Sequence, residues 1–350
     1  MTAARSGALL GFGNVAAYGH VPGWLARTDA RIIAVAEPFA DQRDLARRLL
    51  GDVRVYERAA DLLREERVDF VDIAAPPASH VPLITAAAEV GAHVLCEKPL
   101  ATAASAYRAA RAAVRRHQVG LYTVHNWKYS EAFAAVRRCL DTGAIGALRR
   151  IVFDTERDGC SAMVGANWRM QAATAGGGIM VDHGWHALYL VLAFADAVPR
   201  RVRATMQRRR YTDVDVEDTA HCRIDFDGVT AEINLTWAAP ARRTCWRFEG
   251  EAGELIVDDD RLVVRRGGTE RSEPLAPALS AGSHHPEWFT GVIDAFAREL
   301  DDPTVRGRNQ AEAEWCLLLL HLAYESHARG GQAIDVPQLA AWLDDGAVAA

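Results

Sequence analysis

The sequence predicts an α/β chain in two parts. The first is a doubly wound parallel sheet with helices on both faces over residues 1–124, and the second an α+β domain with a large, mainly antiparallel open sheet over residues 125–350. Three observations carry this. Short apolar runs alternate with helical segments up to Val124. A glycine-rich turn, Gly11-Phe12-Gly13-Asn14-Val15-Ala16, separates the first run from the first helical stretch. Beyond residue 200 the apolar positions recur every second residue, as in half-buried strands.

The chain has 350 residues, half of them hydrophobic and a quarter charged, which is long enough for two cores and ordinary for a globular protein. The formal net charge of −6 supplies no basic field for nucleic acid or an anionic membrane, so neither is an expected partner. No run approaches the roughly 20 apolar residues of a membrane span, and Met1 to Gly7 has no signal-peptide core; a cytoplasmic protein is expected. The six cysteines are scattered without metal-ligand spacing. Reduced, mostly buried thiols and no metal site are therefore expected.

In chain order, Ala8-Leu9-Leu10 reads as the first strand. In the GxGxxA turn the first glycine permits the sharp bend, the second lets the backbone approach a pyrophosphate, and Ala16 allows close packing of helix on strand. Arg31 to Ala36 is the second strand and ends in Glu37, at the distance where such a unit places an acid on the adenine ribose. A carboxylate there accepts from both ribose hydroxyls and repels a 2′-phosphate, which favours NAD over NADP. Arg43, a few residues on, keeps NADP as the lesser alternative.

Val68 to Ala74 is a further strand, followed by the rigid turn Pro76-Pro77-Ala78-Ser79-His80 and a helix to Val90. Val94-Leu95-Cys96 then runs straight into Glu97-Lys98-Pro99. Ligands of an open parallel sheet sit beyond the carboxyl ends of its strands, so Lys98 is expected to project into that crevice; the alternative is a surface ion pair of Glu97 with Lys98. Val119 to Val124 closes the sheet.

The stretch from Val68 to Leu100, with its Pro-Pro-x-x-His turn and its Glu-Lys-Pro, resembles the glucose–fructose oxidoreductase/inositol dehydrogenase (Gfo/Idh/MocA) family. The resemblance implies that Lys98 lies beside the nicotinamide and the reacting hydroxyl. It also implies cofactor contacts from Gly11, Phe12, Gly13, Asn14, Val15, Glu37, Pro76, His80, Glu97 and Lys98.

His125-Asn126-Trp127-Lys128-Tyr129 opens the second part and is similar to the family's His-Asn-x-Arg-like segment, with Lys128 where arginine is common. Next comes Trp168-Arg169, then Gly176-Gly177-Gly178 and an apolar helix carrying Asp182 and His186. Four residues apart, these two face one side of the helix, so that Asp182 sets the tautomer of His186 or both converge on one ligand; two polar capping residues are the plain alternative. Asp182, Gly184 and His186 fall on the family's Gly-Gly-x-x-x-Asp-x-Gly-x-His pattern. His183 is read as packed against the domain interface, with a substrate contact left open.

Period-two strands follow around Val202, Cys222 and Ala231 and suggest an antiparallel meander. The arginines between Arg200 and Arg210 read as a solvated sheet face or a subunit interface. Ser283-His284-His285-Pro286 fits no metal pattern and reads as a pocket loop. Two helices close the chain, the last carrying Tyr324-Glu325-Ser326, which resembles the family's Tyr-x-Ser element.

The function implied is an NAD-dependent dehydrogenase acting on a secondary alcohol of a sugar, cyclitol or related polyol. Lys98, Asp182 and His186 are the catalytic candidates, with the general base left open between His186 and Lys98. Substrate contacts are expected from Lys98, Trp127, Lys128, Tyr129, Trp168, Arg169, Asp182, His183 and His186. Two alternatives stand beside it: an enzyme that retains NAD and oxidises transiently (an epimerase, lyase or glycosidase), and a non-catalytic dinucleotide-binding regulator. The resemblance also implies a homodimer or homotetramer through the C-terminal sheet.

Overall fold

The computed structural model describes residues 4–161, 167–302 and 304–344. The first sheet contains β1 (Arg5–Leu10), β2 (Ala30–Ala36), β3 (Arg54–Tyr56), β4 (Phe70–Ile73), β5 (His93–Cys96) and β6 (Leu121–Thr123). Their order is β3-β2-β1-β4-β5-β6, and every pairing is parallel. Ala8, Leu9, Leu10, Val71, Ile73, Val94 and Leu95 are completely buried, as strands covered on both faces require. The order reverses between β1 and β4, which opens a crevice at their carboxyl ends.

The second sheet has nine strands: β7 (Leu148–Glu156), β8 (Pro199–Gln207), β9 (Thr219–Phe226), β10 (Thr230–Thr236), β11 (Arg243–Gly250), β12 (Gly253–Asp258), β13 (Arg261–Arg266), β14 (Thr269–Pro274) and β15 (Ile334–Asp335). They are ordered β14-β13-β12-β11-β7-β10-β9-β8-β15. The expected meander holds except at β7, which lies parallel to β10 and antiparallel to β11. The helical segment 168–195 separates β7 from β8, so no hairpin forces it antiparallel. Helices Gly184–Ala195 and Arg308–Ala328 cover one face, burying Val202, Ala204, Cys222, Ile224, Ala231 and Ile233. The opposite face carries Arg201, Arg203, His221 and Arg223, all exposed.

A boundary at residue 124 marks the end of the parallel sheet but not of its packing. Helix Pro286–Asp301 returns to the first sheet and buries Phe289, Val292, Ile293 and Phe296 against Trp24, Phe70 and Tyr122. Asn309 completes the edge of β6, accepting from Thr123 N at 2.6 Å and donating to Thr123 O at 3.0 Å.

Candidate active site

A single cleft of about 640 Å³ runs from the Gly11–Val15 turn to Asp182, His186 and His285. At its first end Gly11 has φ +93°, and a side chain there would meet Ala74 O at 2.7 Å; Gly13 faces open space, with no atom within 4 Å of where a Cβ would stand. The backbone is thus bare enough for a phosphate group to approach. Glu37, at the end of β2, accepts from Phe12 N at 2.7 Å and from Phe39 N at 2.9 Å, which fixes its carboxylate on the cleft wall. Phe12 offers only backbone here, because its ring is buried with Leu9, Val21 and Val35. Asn14, Val15 and Pro76 line the cleft, whereas Arg43 donates to the carbonyls of Glu37 and Pro38.

His80 does not line the cleft. Its ring lies between two strand-end turns, Nδ1 2.7 Å from Pro99 O and Nε2 2.9 Å from Ala75 O, so it ties the Lys98-Pro99 turn to the one after β4. Glu97 does reach the cleft, accepts from Lys98 N at 3.0 Å and meets His20 Nε2 at 3.1 Å. His20 Nδ1 lies 2.8 Å from Asp72, which also accepts from Trp24 Nε1 at 2.7 Å. Burial opposes charge on His20, but Asp72 and then Glu97 outweigh it and raise its pKa to about 9. This imidazolium between two carboxylates was not legible as a unit, since its members are 52 and 77 residues apart.

Lys98 Nζ donates to Asp182 Oδ1 and to Asp182 O, both at 2.8 Å. Burial resists ionisation of Asp182, yet Lys98 and Arg169 hold it well below the usual carboxylate range. Arg169 Nε is 3.7 Å from the same carboxylate, and its guanidinium lies over the Trp168 ring at 4.6 Å. Both residues line the cleft.

The expected Asp182–His186 link is replaced. Among the described residues, His186 is bonded through Nδ1 to Tyr189 Oη at 2.8 Å, and that hydroxyl also accepts from Trp127 N at 3.1 Å. Asp182 is engaged by Lys98 instead, an opposite charge being the stronger partner for a buried carboxylate. Burial and the Lys98 charge push His186 well below its ordinary pKa, so its imidazole is neutral. His183 lies on the cleft wall, its Nδ1 buried without a partner among the described residues; burial first, and then Arg157, Lys98 and Arg242 against Asp182, bring its pKa down to about 3.

Of the three neighbours Trp127, Lys128 and Tyr129, only Trp127 lines the cleft, where it stacks on His186 at 5.2 Å. Asn126–Tyr129 is a 3₁₀ turn with about three residues per turn, so successive side chains leave in different directions. Lys128 Nζ goes to Glu312 Oε2 at 2.7 Å, and Tyr129 Oη to Tyr122 Oη at 2.8 Å. Neither side chain lines the cleft, so the geometry lends no support to the expectation that these two contact substrate.

Glu217, Arg157 and Arg242, which the sequence did not single out, support or line the wall. Glu217 accepts from Gly178 N, Met180 N and Tyr324 Oη at 2.9–3.0 Å and so shapes the glycine turn before Asp182; a side chain at Gly178 would fall 1.8 Å from Glu217 O. Arg157, Arg242 and His284 also face the cleft beside the expected His285.

Residues 6–125 match the model of an oxidoreductase family with an NAD-binding Rossmann fold, and residues 133–256 that of the GFO/IDH/MocA C-terminal domain. The inositol 2-dehydrogenase of Rhizobium meliloti is 30% identical over 311 residues, spanning 84% of this chain and 86% of that protein. The chain belongs to the Gfo/Idh/MocA family of oxidoreductases. A further relative, the D-apiose dehydrogenase of Paraburkholderia graminis, is 29% identical over 354 residues, 96% of this chain and 90% of that one. In fold, the chain is similar to levoglucosan dehydrogenase solved with NADH and L-sorbose. The TM-score is 0.82 at 20% identity, over 96% of this chain and 100% of that one. The family's NAD-binding Rossmann domain is here the first sheet. Among the described residues no helix is long and apolar enough to cross a membrane, and no group of three His, Cys, Asp or Glu is arranged to hold a metal ion.

Proposed function

We propose that this oxidoreductase interconverts a secondary alcohol and a ketone on a sugar, cyclitol or related polyol, with NAD as redox partner. The observation that carries the reading is the meeting of Lys98, Asp182 and His186 at the end of the cleft away from the Glu37 wall. Gly11–Val15, Glu37 and Pro76 hold the dinucleotide, and bound NAD supplies the hydride acceptor. The Glu37 carboxylate favours ribose hydroxyls over a 2′-phosphate, hence NAD over NADP.

Lys98, held by Asp182, donates to the substrate oxygen and stabilises negative charge as it develops. His186 is the general base. With its proton on Nδ1, donated to Tyr189 Oη, its Nε2 is left to accept the hydroxyl proton. An oxygen turning anionic beside it offsets the Lys98 charge and raises its proton affinity at the moment of transfer. Trp127 and Trp168 offer aromatic faces to a ring of alternating apolar and hydroxylated edges.

The enzyme is cytoplasmic and assembles as a homodimer or homotetramer through the outer face of the nine-stranded sheet, a reading supported by the family resemblance and by the open polar face around Arg201 and Arg223. Light scattering on the eluting protein checks the assembly.

The deciding experiment adds NAD or NADP to the purified protein with a panel of polyols and follows nicotinamide absorbance. Reduced cofactor accumulating with one substrate, and faster with NAD, is the expected result. Reduced cofactor with no member of the panel overturns the reading.

A further inference from the structure

The substrate end of the cleft carries more positive charge than its own carboxylates balance. Lys98 and Arg169 share Asp182, and Glu97 is engaged by His20. Arg157 and Arg242 have no carboxylate within ion-pair distance among the described residues, and residues 162–166 contain no ionisable side chain. By contrast Arg243, their neighbour, meets Asp258 through two hydrogen bonds of 2.9 and 3.0 Å.

Arg157 follows β7 and is only 2% exposed. Its Nη1 donates to Glu156 O at 2.7 Å and Arg243 O at 3.0 Å, and both terminal nitrogens share Thr244 Oγ1 at 3.2 Å; Nε is buried and has no partner among the described residues. Arg242 donates through Nε to Ser280 O at 3.3 Å and through Nη2 to Gly282 O at 2.6 Å, leaving Nη1 without a partner among the described residues. Every acceptor on these two guanidinium groups is uncharged. Asp182, held by Lys98, acts on Arg157 only at a distance, as do Asp158 and Asp259, the last taken by Ser280 N and Oγ. Burial and then Arg242 lower the Arg157 pKa to about 10, as an uncompensated cation requires. The four histidines of the wall, His183, His186, His284 and His285, are all shifted toward the neutral form and carry no opposing charge.

We infer that the substrate is an anionic polyol, bearing a carboxylate or a phosphate ester that the Arg157–Arg242 wall receives while Lys98 and His186 address the hydroxyl to be oxidised. The inference rests on the dehydrogenase reading of the same cleft and narrows its substrate class. Hydroxyl groups alone would leave both guanidinium charges uncompensated in a confined, low-dielectric space; an anion forms charge-assisted bonds there. The pyrophosphate of the dinucleotide does not serve, since its cradle lies on the first sheet and the two arginines flank β7 and β11 of the second.

The test measures binding and turnover separately. NAD-loaded protein is titrated calorimetrically at low salt with glucose, gluconate, glucuronate and glucose 6-phosphate, and with xylose and xylonate, and the same compounds are assayed for cofactor reduction. At least one anion is expected to bind ten times or more tighter than its neutral partner. In Arg242→Gln that advantage should collapse to within about threefold; the half-exposed Arg242 is chosen because Arg157 bridges β7 and β11. Whether sugar acids or the phosphate ester respond tells the two anion sources apart. Equal or weaker binding of every anion, no binding by any compound, or an advantage that survives Arg242→Gln overturns the inference. Reduced cofactor from neutral sugars alone would then leave the dehydrogenase reading standing. Selective anion binding without any cofactor reduction would sink the dehydrogenase reading and, with it, the claim that the anion is the substrate, leaving only an anion-binding wall.

Discussion

Lys98 Nζ lies 2.8 Å from both the carboxylate and the main-chain carbonyl of Asp182, so a residue leaving β5 of the first sheet is fastened to a short helix of the second domain. Replacing Asp182 leaves Lys98 without its carboxylate, and replacing Lys98 leaves Asp182 with only the more distant Arg169, 3.7 Å away. Lys98→Met and Asp182→Asn are each expected to lower kcat by about 10²- to 10⁴-fold while the NAD dissociation constant, read by nicotinamide-dependent fluorescence quenching, stays within a fewfold. Asp182 is held below the ordinary carboxylate range, so its share of stability is present above about pH 4 and is lost as pH falls through its lower folded value. Acid unfolding of Asp182→Asn should therefore begin from a lower stability and show a shallower slope below pH 4.

The His20 imidazolium has the opposite sign. Its folded pKa of about 9 exceeds the ordinary 6.5, so the stability it lends is complete below pH 6.5 and drains away as pH rises through 9. The difference corresponds to about 3 kcal/mol. Wild-type protein should lose denaturant resistance across that alkaline window, and His20→Gln should start weaker and change little there. An identical alkaline profile for both proteins would count against the charged pair.

Cofactor choice is expected to move with Glu37. Glu37→Gln keeps an acceptor for the Phe12 amide but removes the charge that repels a 2′-phosphate. The ratio of NADP to NAD dissociation constants should fall by about tenfold or more, measured by fluorescence titration of each nucleotide. An unchanged ratio would assign selection to other residues.

Tyr189→Phe tests the tautomer of His186. The ring still stacks on His125, at 4.2 Å between centroids, while the hydroxyl bonded to Nδ1 is gone. Turnover should drop by about tenfold or more with KM little changed, and the pH profile of kcat should shift, an effect that loss of packing alone would not produce.

Lys128 provides the contrary case. Because its ammonium meets Glu312 rather than the cleft, Lys128→Met should leave KM within about twofold and instead lower the melting temperature, since Glu312 is left with only His125. A large rise in KM would return Lys128 to the substrate site.

Much of this was legible because strand-end chemistry is local. The cradle at Gly11–Val15, the acid at Glu37 and the Glu97-Lys98-Pro99 turn each sit within a few residues of a strand whose apolar run announces it. Edge strands β3 and β14 were not legible, because β14 is exposed throughout and β3 is three residues long. Where the observed partners differ from the expected ones, the reason is the same. Spacing along a helix shows which side chains share a face, but not which of several partners wins: Asp182 took Lys98 from another domain, and Tyr189, three residues on, took His186. His80 likewise matched its motif, yet serves the turns rather than the cleft. Arg157 and Arg242 lay outside any motif and reach the cleft only through the sheet that carries them, as Glu217 reaches the glycine turn behind it.

The return of helix Pro286–Asp301 to the first sheet also governs how the molecule comes into being during synthesis. When the first 124 residues have emerged from the ribosome, Trp24, Phe70 and Tyr122 still await the segment that will cover them, more than 160 residues of chain later. The nucleotide-binding half is therefore born with a sticky flank. Expressed alone it should recruit chaperones or self-associate, and a graft of this half onto a foreign partner would need to bring residues 286–301 with it.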